Sequence, residues 1–197
     1  MKILFLLLLC INLIAQEKYS LRIAYGNVSA SNLGEIIFGN WQSHPNNLRV
    51  LALDGGYLLS KDAYDLPLDI YTKIGVAYFD EDSVHNDIYE GTLYIKAYYR
   101  FYEDKIRLGL AEGISYTSNT LLCESMEAEE KNDNTSKFLN YLDISLDVDL
   151  GRVFNNKALR GTFLGYAIKH RSGVAGLIND VSHGGSNYNT LYIESNF

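Results

Sequence analysis

Residues 138–150 constrain the fold class more tightly than any other stretch of the chain. Phe138, Leu142, Ile144, Leu146, Val148 and Leu150 fall on one side of a period of two, with Asn140 the exception. Leu139, Tyr141, Asp143, Ser145, Asp147 and Asp149 fall on the other. A helix would scatter the three carboxylates around its surface, whereas an extended strand puts all of them on one face. The alternation recurs over 68–79, 87–102, 105–118 and 161–172, and more weakly over about 19–27, 47–59 and 187–197. The spacing predicts eight strands. Sixteen tyrosines and only two prolines suit such a chain, since aromatic residues favour strands and proline interrupts them.

The connections alternate in length. Short links are expected at Ser60–Leu66, Tyr102–Lys105 and Gly151–Ala158, and long ones over 28–46, 119–137 and 173–186, with 80–86 intermediate. Short turns on one side and long loops on the other are the habit of outer-membrane barrels, and an even strand number puts both termini on the short-turn side. The N-terminus adds Lys2, an apolar run from Ile3 to Ile11 and a small residue, Ala15, before a polar stretch. These are the parts of a secretory signal peptide. We therefore expect a signal peptide over 1–15 and a single barrel domain over 16–197.

Loss of the leader would remove Lys2 and Cys10, taking the net charge from −7 to −8 and leaving Cys123 without an intrachain partner. No later run of 18 apolar residues occurs, so any membrane crossing falls to strands. The final residue, Phe197, with Ile193 and Leu191 at even spacing, is similar to the terminal signal read by the barrel-assembly machinery. A soluble sandwich or lipocalin-like barrel could produce the same alternation with its apolar face inward. The leader, the loop asymmetry and the terminal aromatic favour an all-β, eight-stranded antiparallel transmembrane β-barrel in a bacterial outer membrane.

Few residues offer chemistry. The four histidines lack paired metal spacing, and neither a nucleophile elbow nor a phosphate loop is present, so no metal or cofactor is expected. No basic stripe suggests nucleic acid. Asp80-Glu81-Asp82 and Glu127-Ala128-Glu129-Glu130 read as solvated acidic loops, with Ca²⁺ binding or divalent bridging to lipopolysaccharide as the alternative. Glu112 is an oddity, because alternation puts it on the lipid face; a bulge or a shifted register would relieve that, and with strand six intervening it is a poor candidate for a triad member in contact with His170.

His170 and Ser172 are two apart near the outer end of the seventh strand, on the face that carries Leu164, Tyr166 and Ile168. Polar groups on a lipid face are tolerated near the interface. A serine beside a histidine is the minimum for a base-activated nucleophile. A third group must orient the imidazole, and Asn187 on the neighbouring eighth strand can lie beside it. Gly173 and Gly176 could offer backbone N–H groups to an oxyanion. Equally, His170 and Ser172 could bind headgroups or loop backbone without catalysis.

The run His170-Arg171-Ser172-Gly173-Val174-Ala175-Gly176, then Gly184-Gly185-Ser186-Asn187 and a last strand ending in Phe197, resembles the C-terminal signature of PagL-type lipid A 3-O-deacylases, the acyloxyacyl hydrolase family. The resemblance covers about the last 35 residues. It implies an eight-stranded barrel with a lipid-facing Ser-His-Glu triad that hydrolyses an ester-linked acyl chain of lipid A without a cofactor. By position, Ser172 matches the nucleophile and His170 the base. Gly173 stands where the family often has Asn, and Asn187 where it has its glutamate. The alternative is a non-catalytic barrel: an adhesin, a membrane-integrity protein or a lipopolysaccharide-binding protein.

Overall fold

The computed structural model describes residues 18–82, 86–183 and 185–197. The expected signal peptide, with Lys2 and Cys10, lies outside the described residues. Eight antiparallel strands follow one another around a closed barrel: β1 Tyr19–Val28, β2 Arg49–Ser60, β3 Leu68–Asp80, β4 Ile88–Phe101, β5 Ile106–Thr117, β6 Phe138–Asp149, β7 Thr162–Ser172 and β8 Ser186–Asn196. Each strand pairs with its sequence neighbours, and β8 closes on β1. Cross-strand partners can be followed once round from Asn187 through His170, Leu142, Glu112, Ile95, Thr72, Tyr57 and Tyr19. They lead back to β8 at Phe197, ten residues further on. Eight strands with a shear of ten tilt by roughly 40° and leave an interior that side chains can fill.

Side chains do fill it. Arg22 binds Asp54 and Asp143, each at 2.9 Å; Lys73 binds Glu194 at 2.7 Å; Arg107 grips Asp147 through two 2.8 Å bonds. Lys96 pairs with Asp143 and Lys169 with Glu90. Tyr94, Tyr98 and Tyr192 donate their hydroxyls to Asp54, Glu194 and Asp147. Buried charges must be paired and hydrogen-bonded, and alternation delivers both signs to the same lumen. Nearer the outer mouth the interior turns apolar, with Val28, Leu48, Val50, Phe79 and Ile88 packed under Leu121 and Leu122.

The outward face is the reverse. Leu51, Leu53, Ile74, Val76, Leu93, Ile95, Leu108, Leu110 and Leu146 are exposed. Tyr25, Tyr89 and Tyr116 ring the outer end of this wall, and Tyr19, Tyr57, Tyr99 and Phe101 ring the inner end. An apolar band between two aromatic girdles is a surface built for a bilayer, which removes the inward-apolar soluble alternative. β5 runs without a bulge, so the relief expected for Glu112 does not occur and its side chain stays outward. Among the described residues the one register shift lies between Leu58 and Ser60.

Two outer loops carry helices: α1, Leu33–Ile37, and α2, Leu122–Lys131. A single turn, α3 (Leu150–Val153), lies at the inner end. The acidic run Glu127–Glu130 therefore belongs to a helix rather than an open loop. Glu81, expected in a solvated acidic loop, is fully buried and accepts the Leu122 N–H at 2.7 Å, capping α2 from a different loop.

Candidate active site

β7 and β8 build the site. Alternation along β7 turns Lys169 and Arg171 into the lumen and leaves His170 and Ser172 outward. The register makes His170 and Asn187 direct partners. Their side chains meet: His170 Nδ1 lies 2.8 Å from Asn187 Oδ1. The other end of the amide fixes its orientation, since Asn187 Nδ2 donates to the Ser31 carbonyl at 3.2 Å. The amide oxygen therefore faces the ring, Nδ1 carries the hydrogen, and Nε2 keeps its lone pair.

The first outer loop holds this arrangement in place. Ser29 N–H donates to the Asn187 carbonyl at 2.8 Å. Ser31 N–H binds Ser29 Oγ, and a capping box between Asn32 and Glu35 starts α1 directly after it. The Ser31 carbonyl was not a sequence candidate. The Asn32-x-x-Glu35 spacing was the available signal that this loop is folded rather than open.

Ser172 shares the wall with His170, but its Oγ makes no hydrogen bond among the described residues, to His170 or otherwise. Gly185 sits between the two. A Cβ there would lie 3.6 Å from His170 Cε1 and 3.7 Å from Ser172 Cβ, and 2.7 Å from the Arg171 carbonyl. Gly173 is buried against Val181, where a Cβ would come within 2.0 Å of the Val181 carbonyl. The Gly176 N–H does not face the site. It donates to the Val181 carbonyl at 2.9 Å, so the oxyanion donor expected there is already committed. Its φ of +88° is a conformation that glycine adopts without strain.

His170, Ser172, Gly185 and Asn187 open onto a cavity of about 640 Å³ at the outer mouth. Loop one contributes Ser31, Glu35 and His44, and α2 contributes Met126, Glu127 and Lys131. Beneath it, Glu124 on α2 accepts from Arg171 at 2.7 Å and from Ser186 Oγ at 2.8 Å. Burial pushes the Glu124 carboxyl up to about 7, against the pull of the Arg171 guanidinium. Among the described residues no group of three His, Cys, Asp or Glu side chains could hold a metal ion.

The fold, the apolar outer wall and the girdles define the class of the eight-stranded outer-membrane β-barrels. No protein-family model matches the chain, and no curated protein matches its sequence. Among solved structures it is similar to the outer membrane enzyme PagL, with a TM-score of 0.59 and 15% identity over 90% of this chain and 99% of that one. It is also similar to the Yersinia pestis outer membrane protein Ail, with a TM-score of 0.48 and 10% identity over 90% and 98% of the two chains. Neisserial surface protein A gives 0.48 and 11% over 92% and 98%.

Proposed function

We propose that the chain is an outer-membrane serine esterase that removes an ester-linked acyl chain from lipid A, with Ser172 as nucleophile, His170 as base and Asn187 as orienter. One observation carries the reading: the 2.8 Å His170–Asn187 bond on the membrane-facing wall, two residues from Ser172 on the same face. A lipid ester is reached from that wall and not from the filled lumen. The fold it shares with the outer membrane enzyme PagL is consistent with this reading.

The chemistry follows from the tautomer. His170 Nε2 takes the Ser172 hydroxyl proton as Oγ bonds to the ester carbonyl carbon, and the carbonyl electron pair moves onto its oxygen. The Gly173 N–H, next in sequence to the nucleophile, would be the backbone donor for that oxyanion. As the carbon–oxygen bond to the sugar breaks, the imidazolium returns the proton to the departing alkoxide. Water, deprotonated by His170, then releases the fatty acid and restores Ser172.

A second reading has its own support. The orienter is a neutral amide, and Ser172 Oγ is not bonded to His170, which suits a barrel that binds lipopolysaccharide without turnover. Mass spectrometry of lipid A from Gram-negative cells expressing the chain separates the two. Loss of one acyl chain that reverts with Ser172→Ala supports the esterase. Unchanged lipid A beside a correctly inserted barrel leaves the binding role.

A further inference from the structure

Among the described residues Glu112 is the one acidic side chain on the membrane-facing wall below its outer rim. The other charged groups facing outward are Arg49 and Asp80, cross-strand partners at the rim, and His170 when protonated. Glu112 is exposed, with Leu110 and Ile114 beside it on β5 and Ile95 and Leu142 as its partners on β4 and β6. A carboxylate among lipid chains is costly unless an opposite charge compensates it. The barrel's shear supplies a candidate. Leu142 pairs with Glu112 on one side and with His170 on the other. Glu112 and His170 therefore share one cross-strand row, two strand spacings or about 10 Å apart. The row slopes inward from β7 to β5, so Glu112 lies deeper in the bilayer than His170.

Nothing but wall and lipid separates the two. Charges in the lumen, such as Lys169 and Arg171, point away from this face and are paired there with Glu90 and Glu124. The mouth also holds Glu35, His44, Glu127, Glu130, Lys131 and His183, in the open cavity.

We propose that Glu112 is a positioning residue for the Ser172–His170 pair: across the low-dielectric wall its carboxylate stabilises the imidazolium that forms when His170 takes the serine proton. The inference rests on the esterase reading given above. It gives Glu112 the electrostatic role that a neutral Asn187 amide cannot fill, while Asn187 keeps the orienting role. At about 10 Å and an effective dielectric near 20, such a charge is worth roughly a tenfold change in an equilibrium or a rate, and far less in water.

The test uses the full barrel in lipopolysaccharide-containing nanodiscs, with folding checked by heat-modifiable mobility. Glu112→Gln keeps the shape and removes the charge, whereas Glu112→Asp keeps the charge. Fatty-acid release should show kcat reduced about tenfold in Glu112→Gln with KM unchanged, and mostly restored in Glu112→Asp. In parallel, ¹⁵N spectra of the His170 ring at fixed pH should lose imidazolium signal in the Gln variant and keep it in the Asp variant. An unaltered kcat, or an unaltered His170 spectrum, in Glu112→Gln overturns the inference. A wild-type barrel with no turnover at all defeats the esterase reading instead, and the His170 spectra then decide the Glu112 coupling alone.

Discussion

The lumen and the outer wall treat polar groups in opposite ways. Inside, nearly every charge is held by several partners: Arg22 reaches Asp54, Asp143, Tyr94 and Tyr141, and Glu194 receives Lys73 and Tyr98. On the wall near β7 and β8 the polar side chains are held more sparsely: Asn187 has two side-chain bonds, His170, Tyr166 and Asn189 have one each, and Ser172 has none among the described residues. The first pattern locks a barrel shut and holds its register. The second leaves groups free to meet a lipid. Stability should therefore be sensitive to lumen substitutions and activity to wall substitutions, with little crossover.

The sharpest break in that comparison is Asp143→Ala. It strips Arg22 and Lys96 of a shared carboxylate in the buried interior. Removing one partner of a buried pair leaves an uncompensated charge and costs about 3–5 kcal/mol. Urea titration of the barrel in micelles, followed by heat-modifiable mobility, should show a midpoint lowered accordingly, or no folded band.

Asn187→Leu probes the other side. The imidazole loses the acceptor that holds Nδ1–H, so the ring can turn and present the wrong nitrogen. General-base catalysis contributes on the order of 10²–10⁴-fold, so on the proposed esterase reading a drop of about 10² in lipid A deacylation is expected. The urea midpoint should move much less than in Asp143→Ala. An equal loss of stability would mean that the site and the scaffold are not separable.

The split between wall and lumen was legible because it needs only a period of two. The alternation over 138–150 marks β6 to within a residue at its inner end, and the same parity puts His170 and Ser172 on one face. Asn187 was reachable because β7 and β8 are consecutive and must pair. The mouth was not legible, because its structure is tertiary. α2 has no side-chain N-cap of its own; its first N–H is taken by Glu81, some forty residues away in sequence. Ser31 reaches Asn187 through a backbone carbonyl, and a backbone atom leaves no residue-type signature. Gly176 reads as a possible oxyanion donor until the fold of its loop gives its N–H to Val181.

The mouth is intermediate between the two regions, and Glu124 tests it. Its carboxyl is buried beside Arg171, Ser186 and the charge of Glu90, and burial pushes it up to about 7. An unfolded glutamate titrates near 4.3. Between these values the folded state holds a proton that the unfolded state has released, so stability falls as pH rises through that window. Unfolding midpoints measured at pH 5 and pH 8 should differ, with the barrel weaker at pH 8. Glu124→Gln, which cannot ionise, should flatten that difference. A wild-type midpoint that rises with pH would show that the Arg171 pairing outweighs burial.

The smallest effect expected is at Tyr166, on the wall just below the site. Its hydroxyl donates to Asn189 Oδ1 at 2.6 Å, outside the lumen network. Tyr166→Phe removes one neutral hydrogen bond and leaves an amide oxygen that is partly exposed rather than sealed in the core. A typical net contribution is about 0.5–1.5 kcal/mol, and this site belongs at the low end because Asn189 can find another donor at the interface. The urea midpoint should shift only slightly. A loss approaching that of Asp143→Ala would mean that the outer wall is as tightly determined as the lumen, and the division of labour between them would fail.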